Sequence, residues 1–358
     1  MEKHDKNQLR LVAWELTRSC NLNCVHCRAS SERGPYPGEL SGEKCREILD
    51  QIASVGKPIV ILTGGEPLLR EGIFGLAEYG TGLGLRMVMA TNATTVTPEI
   101  AERIKSCGIQ RVSISLDGHD SKSHDTFRKV PGAFKRSLEG IDFLKKAGVE
   151  FQINTTVTRH NVEQIPAILD KVVELGASAH HLFLLVPTGR AKEMVNQEID
   201  ARKYEELLRW FYRVHREVPL HLKATCAPHY HRILRQEAHK AGRKVDFKTY
   251  GLDAVTRGCL GGIGFCFISY EGIVQPCGYL EVNSGDLRKE SFSKVWRDSP
   301  VFRKLRDFAS YRGKCGRCEY LRVCGGCRAR AFEATGDYLE EEPLCMYVPG
   351  KKTATNSP

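Results

Sequence analysis

The chain has 358 residues, 41% of them hydrophobic, and a formal net charge of +10. No apolar run is long enough to span a membrane, and the polar start MEKHDKNQLR lacks the apolar core of a signal peptide. Lysine and arginine are scattered, without the runs typical of nucleic-acid binding. We therefore expect a cytoplasmic protein with no membrane span and no nucleic-acid partner. Its 14 cysteines then favour metal or redox chemistry over disulfides.

Short apolar runs alternate with amphipathic stretches over the first half of the chain. Strands are predicted over residues 11–16, 59–63, 85–92, 111–118, 150–157 and 180–186. Helices are predicted over residues 41–55, 97–108, 133–147, 161–175 and 201–217. Because the strands are apolar throughout, they fit a parallel sheet covered by helices. We predict an α/β fold with a partial (β/α)6 TIM-like barrel, although a doubly wound sheet fits the same periodicity.

The composition changes in the last third of the chain. From about Arg257, glycine and cysteine become frequent and apolar core residues become scarce. This change predicts a small C-terminal domain held together by metal. The expected divisions are a flexible N-terminus (1–10), the barrel (11–222), a helical linker (223–254), the cysteine-rich domain (255–348) and a disordered tail (349–358).

Three cysteines, Cys20, Cys24 and Cys27, follow the first predicted strand with the spacing C-x3-C-x2-C. In folds with parallel strands, this end of the sheet carries the active site. A structural zinc site takes four ligands, whereas a 4Fe–4S cluster held by three cysteines leaves one iron open to a chelating ligand. The spacing favours such a cluster. A zinc site completed by His26 and a cluster with a distant fourth cysteine stay open as alternatives.

Further motifs follow later strands in the same order as in a known family. GGEP (64–67) follows the second strand, SISLDG (113–118) covers the fourth, and NTTV (154–157) ends the fifth. Together with C-x3-C-x2-C, over roughly residues 10–190, the chain resembles the radical S-adenosylmethionine (SAM) enzymes. The resemblance implies a 4Fe–4S cluster on the three cysteines and Glu66 as a counter-charge to the SAM ammonium group. Ser113 belongs to the matching fourth-strand segment. The implied SAM contacts are His26, Gly64, Gly65, Glu66, Ser115, Asp117 and Asn154.

Eight more cysteines lie in the C-terminal region, and their CxxC pairs alone would suggest zinc ribbons. Because the chain also carries the N-terminal motif, the pattern of these cysteines is taken differently. It resembles the SPASM extension of some radical SAM enzymes, an iron–sulfur domain that binds auxiliary 4Fe–4S clusters. The resemblance assigns Cys259, Cys266, Cys277 and Cys327 to an inner auxiliary cluster. It assigns Cys315, Cys318, Cys324 and Cys345 to an outer one. The family usually has three residues where Cys324 and Cys327 are separated by two, which leaves the partition open. Cys45 and Cys107 are expected in the core, and Cys226 is unassigned.

The substrate is suggested by two further segments. Residues 223–233 resemble tetrapyrrole-modifying radical SAM enzymes. Residues 264–288 most resemble those that oxidatively decarboxylate two propionates of iron-coproporphyrin III to vinyl groups, giving protohaem. The alternatives are members acting on sirohaem derivatives or in haem d1 formation, and SPASM enzymes that form thioether crosslinks or mature sulfatases. A zinc-ribbon binding module or an electron carrier is the alternative from another functional class.

Such a substrate is strongly anionic, which suits a protein of charge +10. Arg18 and Arg28 flank the cysteine motif and are candidates to bind a propionate. The candidate ligands to the haem iron are His119, His124, His229 and His231, of which His229 and His231 are predicted substrate contacts. The resemblance also implies an external low-potential electron donor of the ferredoxin or flavodoxin type.

Overall fold

The computed structural model describes residues 8–215 and 217–350 of the chain. The predictions of a flexible N-terminus over 1–10 and a disordered tail over 349–358 lie outside these residues, except at 8–10 and 349–350. Within the described part of the chain, no helix is long and apolar enough to cross a membrane.

One sheet organises the described residues, with the strand order β10-β9-β8-β1-β2-β3-β4-β5-β6-β7. Strands β1 to β7 pair in sequence order and in parallel, which confirms the α/β fold with a partial barrel. The strands are β1 (Leu11–Thr17), β2 (Ile59–Gly64), β3 (Arg86–Thr91), β4 (Val112–Ser115), β5 (Phe151–Val157), β6 (Ala179–Leu184), β7 (His221–Thr225), β8 (Phe265–Ile268), β9 (Ile273–Gln275) and β10 (Gly285–Asp286).

Amphipathic helices cover the outside of this sheet. Helix α1 begins after Ser41, whose hydroxyl accepts a hydrogen bond from the Lys44 amide at 3.2 Å, and its predicted apolar stripe is buried. The helices are α1 (Gly42–Val55), α2 (Ile73–Gly82), α3 (Pro98–Ser106), α4 (Ser121–Arg128), α5 (Ala133–Lys146), α6 (Ile165–Leu175), α7 (Ala201–Val214), α8 (His229–Lys240), α9 (Phe247–Tyr250), α10 (Leu252–Val255), α11 (Phe292–Asp298), α12 (Pro300–Arg306), α13 (Gly313–Gly316) and α14 (Arg328–Thr335). Short 3-10 segments cover Pro67–Leu69, Val162–Gln164, Gly189–Gln197 and Phe308–Ser310.

The sheet extends beyond the six predicted strands at both edges. Strand β7 pairs with β6, so the predicted boundary between residues 222 and 223 falls inside a strand. At the other edge, β8 pairs in parallel with β1, and β9 and β10 add antiparallel strands. The cysteine-rich region therefore continues the sheet of the barrel. The short apolar run FCFI, which lies among glycines and cysteines, forms the joining strand.

Arg330 in α14 fastens the C-terminal region to the barrel. Its side chain is 2% exposed, and it donates hydrogen bonds to the backbone oxygens of Leu185 at 2.8 Å and Cys226 at 3.3 Å. It also pairs with Glu198 and Glu342, each at 3.2 Å. One buried guanidinium thus satisfies acceptors from several separate segments.

We expect Arg330→Met to lower the free energy of unfolding by about 3–5 kcal/mol, because it leaves buried carboxylates and carbonyls without a donor. Urea unfolding followed by circular dichroism measures the change. The matched control is Arg312→Met, because Arg312 pairs with Asp337 at 2.7 Å on the surface. That variant should change the free energy by at most about 1 kcal/mol. Equal effects of the two substitutions would contradict the role given to Arg330.

Candidate active site and metal centres

The loop after β1, residues 18–32, carries Cys20, Cys24 and Cys27 and is called the cluster loop here. Each of the three sulfur atoms accepts one hydrogen bond. The donors are the backbone amide of Leu22 (to Cys20, 3.4 Å), Nη1 of Arg128 (to Cys24, 3.5 Å) and the backbone amide of Ser31 (to Cys27, 3.3 Å). Hydrogen bonds to the sulfurs are typical of iron–sulfur sites.

Burial raises the pKa of Cys20 to about 12 and also raises that of Cys24, so these thiols need a bound metal to stay ionised. The donor set therefore fits an iron cluster.

Arg128 and Asp117 form a buried ion pair that contacts the cluster loop at Cys24. Arg128, the last residue of α4, forms an ion pair with the Asp117 carboxylate in addition to its contact with the Cys24 sulfur. Asp117 also accepts a hydrogen bond from the Thr156 amide at 2.7 Å, which ties it to β5. Asp117 is fully buried in these contacts. Arg128 was not predicted as a site residue, because no local motif marks it and its contact with Cys24 spans 104 positions.

His26 contributes a flat ring within the cluster loop. Its imidazole stacks on Phe127 with ring centroids 4.2 Å apart, and Phe127 in turn stacks on His160 at 5.7 Å. Burial and the nearby Arg128 guanidinium lower the pKa of His26 well below its usual value, so the ring is neutral. A neutral planar stack suits contact with a nucleobase. The assignment of His26 to SAM stays a prediction.

The GGEP loop packs directly against the cluster loop. A Cβ atom on Gly64 would lie 2.4 Å from the Thr17 oxygen, and one on Gly65 would lie 2.5 Å from the Ser19 oxygen. Glycine is therefore required at both positions. The amides of Gly65 and Glu66 bond to Thr17 and Ser19, each at 2.8 Å. The two loops are thus held together by their backbones.

The Glu66 side chain points into the protein. Its carboxylate accepts hydrogen bonds from the Thr91 hydroxyl at 2.7 Å, the Asn92 amide at 2.8 Å and the Leu68 amide at 3.1 Å. Burial raises the pKa of Glu66, and these three bonds oppose that rise. The predicted counter-charge is thus engaged by the protein's own donors and holds the loop to β3. Oε2 accepts only one of the three hydrogen bonds, and the role of Glu66 as a counter-charge to SAM stays a prediction.

Ser115, the last residue of β4, lies beside Asn154 in the middle of β5. They are register partners, as are Ser113 and Gln152 two residues earlier. Asn154 accepts a hydrogen bond from the Gln152 amide group at 2.9 Å. Both Ser115 and Asn154 are partly exposed, so these two predicted SAM contacts lie next to each other on neighbouring strands.

Arg18 and Arg28 converge on one buried carboxylate, that of Glu15 in β1. Arg28 donates to Glu15 at 3.0 Å and Arg18 approaches the same oxygen at 3.6 Å. The Arg28 guanidinium also lies over Phe267, and that of Arg18 lies over Tyr270. Two cations against one anion leave a local excess of positive charge. The prediction that they bind a substrate carboxylate is compatible with this geometry.

Two of the histidines proposed as haem ligands, His229 and His231, contact other side chains of the protein. His229 is 1% exposed and paired with Glu342, whose carboxylate, with the Cys345 thiol, raises the pKa of His229 to about 9 against the effect of burial. His231 is 6% exposed and packs against Tyr230. Both rings are buried and have partners within the fold, and the assignment of His229 and His231 as substrate contacts stays a prediction.

The other two candidate haem ligands also have partners in the fold. The His124 imidazole accepts a hydrogen bond from the Asp117 amide at 3.2 Å and is buried. The more exposed His119 contacts Gln164 at 3.0 Å and Asp120 at 3.5 Å. Neither ring is presented as a free ligand to an iron.

The four cysteines assigned to the outer cluster line one cleft. Its walls include His229 and Arg232 as well as Cys315, Cys318, Cys324 and Cys345. Arg328 donates to the Cys315 sulfur at 3.4 Å and Gly326 donates to the Cys324 sulfur at 3.5 Å, again as in iron–sulfur sites. Within 8–215 and 217–350, no three histidine, cysteine or acidic side chains are placed to hold a single metal ion.

The short spacing between Cys324 and Cys327 is accommodated by two glycines. Gly325 and Gly326 have φ angles of 82° and 60°, in the left-handed region that glycine favours. The chain therefore turns sharply, so that Cys324 joins the outer cleft while Cys327 packs with Cys277 and Cys226. Of the cysteines assigned to the inner cluster, Cys277 interacts with both Cys259 and Cys327. Cys266 lies apart from them in the barrel core.

Comparisons with known proteins identify both parts of the chain. Residues 14–172 match the radical SAM superfamily, and residues 259–328 match the SPASM iron–sulfur cluster-binding domain. Proteins named AdoMet-dependent heme synthase from Methanosarcina barkeri and Oleidesulfovibrio alaskensis are each 55% identical over 97% of this chain, and over 99% and 89% of their own. An Fe-coproporphyrin III synthase from Methanosarcina barkeri is 30% identical, over 95% of this chain and 88% of its own.

A solved structure supports the same fold. Streptococcus suis SuiB bound to S-adenosylmethionine aligns with a TM-score of 0.76 at 20% identity, over 95% of this chain and 78% of its own. The family matches confirm the prediction of an enzyme whose cofactors are SAM and 4Fe–4S clusters. The chain therefore belongs to the radical SAM superfamily, with a C-terminal SPASM iron–sulfur domain.

Proposed function

We propose that the protein is a haem synthase that converts two propionates of iron-coproporphyrin III to vinyl groups, yielding protohaem. The observation that carries this proposal is the 55% identity, over nearly the whole length, to proteins named AdoMet-dependent heme synthase. The related Fe-coproporphyrin III synthase is only 30% identical. The comparison therefore favours haem formation over the other tetrapyrrole reactions and over peptide modification.

Each propionate loses one hydrogen atom from its β-carbon, carbon dioxide and one electron, which leaves the vinyl group. When bound, a reduced cluster and SAM supply a deoxyadenosyl radical for the hydrogen abstraction, and the auxiliary clusters supply an acceptor for the electron. The cluster loop and the outer cleft would hold these groups through their cysteines. Gly64 and Gly65 shape the loop against which SAM would lie, while Arg18 and Arg28 would orient a substrate carboxylate.

Anaerobic turnover tests the proposal directly. Reconstituted protein is incubated with SAM, dithionite and iron-coproporphyrin III, and the products are separated by liquid chromatography and mass spectrometry. We expect protohaem and two molecules of 5′-deoxyadenosine for each protohaem. Parallel reactions with a sirohaem-derived substrate or a cysteine-rich peptide should give no modified product. Formation of deoxyadenosine without a vinyl product would contradict the proposal.

We infer that the physiological reductant is an external low-potential protein of the ferredoxin or flavodoxin type. Each SAM cleavage starts with one low-potential electron entering the cluster, and amino-acid side chains do not supply electrons at such potentials. We also infer a cytoplasmic location, because clusters built on this many thiols are maintained in a reducing compartment. Restored turnover with purified ferredoxin or flavodoxin in place of dithionite tests the first inference.

A further inference from the structure

We infer that Cys226 is the fourth ligand of the inner auxiliary cluster. It replaces Cys266, which the resemblance to the SPASM extension assigned to that cluster. The inference depends on the SPASM domain and not on the identity of the substrate. Cys226 lies outside the matched SPASM residues, 259–328, directly after strand β7 of the barrel. The inner cluster would then be held jointly by the barrel and by the C-terminal domain.

The backbone at Cys226 is held in an unusual conformation. Its φ angle is 55°, which lies in the left-handed region that a non-glycine residue rarely adopts. Its carbonyl accepts hydrogen bonds from the Tyr204 hydroxyl at 3.2 Å and from Arg330 at 3.3 Å. Strain of this kind persists where surrounding contacts maintain it, often at functional sites. Here it occurs where the chain leaves strand β7, and the Cys226 side chain packs against the buried group that contains Cys327.

The Cys226 thiol packs among the other cysteines of the inner site. Cys226 and Cys277 pack against the buried group that contains Cys327 and Val186. The Cys226 thiol lies close enough to interact with the thiols of Cys327 and Cys277, and Cys277 in turn interacts electrostatically with Cys259. Three packed thiols and the neighbouring Cys259 thiol together give the four ligands of a fully ligated 4Fe–4S cluster.

Cys266 lies in a different environment. It is in strand β8, fully buried, and its register partner across the sheet is Val12 of β1. Its side chain packs in the main hydrophobic core, and Arg306 is the charged group that acts on it. A cysteine in this position behaves as a small apolar residue. To reach the inner site it would have to leave the sheet that joins the two domains.

Tyr279 indicates where the inner site stands relative to the cluster loop. Its partly buried phenol interacts electrostatically with Cys226 and Cys277 and also with Cys27 and Arg28. A single tyrosine side chain therefore lies near both metal-binding regions. A cluster that includes Cys226 would face the catalytic end of the barrel.

The test compares Cys226→Ala with the matched control Cys266→Ala in the full-length reconstituted protein. Iron and acid-labile sulfide are measured per chain, and the reduced clusters are examined by electron paramagnetic resonance. We expect Cys226→Ala to lose between about one and about four iron atoms and the signal of one auxiliary cluster. Cys266→Ala should keep the full iron content, about 12 atoms, and all signals. Full iron content in Cys226→Ala, or loss of a cluster in Cys266→Ala, would overturn the inference.

A second pair of variants controls for misfolding of the alanine variants. Cys226→Ser and Cys266→Ser keep the size and hydrogen-bonding capacity of the side chains. A serine oxygen in place of a cluster sulfur shifts the resonance signal and the reduction potential of the inner cluster. We expect both shifts for Cys226→Ser and neither for Cys266→Ser. An unchanged spectrum and potential for Cys226→Ser would again overturn the inference, whatever the turnover of iron-coproporphyrin III.

Discussion

Replacing Cys24 with serine is expected to abolish reductive cleavage of SAM and to lower the iron content from about 12 to about 8 atoms per chain. Cys24 is buried, and its sulfur accepts a hydrogen bond from Arg128, which is itself paired with Asp117. Removing the sulfur takes one of only three cysteine ligands from the cluster loop. Deoxyadenosine formation under dithionite and iron analysis of the same preparation measure the two effects.

Cys107→Ser is the matched control for Cys24→Ser. Cys107 is also buried, but it lies at the end of α3 and its thiol donates to the Ile104 carbonyl at 3.2 Å. A serine hydroxyl can make the same bond, so iron content and SAM cleavage should stay near the wild-type values. If Cys24→Ser cleaves SAM as fast as Cys107→Ser, the role assigned to the cluster loop is wrong.

The barrel was predictable because its signals are local. Most strands of the first half contain a short apolar run, such as IVIL in β2, and the helices have apolar stripes, as in α1 with buried Ile48 and Ile52. The cluster loop was predictable for the same reason, since Cys20, Cys24 and Cys27 are close together in sequence. These features depend on spacing over a few residues and need no knowledge of packing.

The contacts that complete the site depend on distant parts of the chain. Arg128 reaches Cys24 only after β4 has brought α4 to the cluster loop. Strand β7 contains Lys223 and begins with His221, so it lacks the apolar run that marked the other strands. The assignment of Cys266 to the inner cluster followed the resemblance in cysteine spacing and took no account of its environment, which is the barrel core. The run FCFI is a strand signal, and it favours a core position for its cysteine.

Replacing Gly65 with alanine is expected to lower SAM cleavage about 100-fold, because the new methyl group forces apart two loops that the backbone holds together. A Cβ atom there would lie 2.5 Å from the Ser19 oxygen and 2.6 Å from the Arg18 oxygen. Both are backbone atoms and cannot rotate away. The hydrogen bond from the Glu66 amide to Ser19, 2.8 Å long, would break as the loops separate. Deoxyadenosine formation and anaerobic SAM titration measure the loss.

Gly75→Ala separates this loop effect from the general effect of adding a methyl group. Gly75 lies in α2, and a Cβ atom there would meet nothing within 4 Å. Alanine should even stabilise that helix by up to about 1 kcal/mol, with normal SAM cleavage. In Gly65→Ala the auxiliary clusters, about 8 iron atoms, should be retained because their cysteines lie on other segments. Equal SAM cleavage by the two variants would show that the close contact of the loops is not needed for SAM binding.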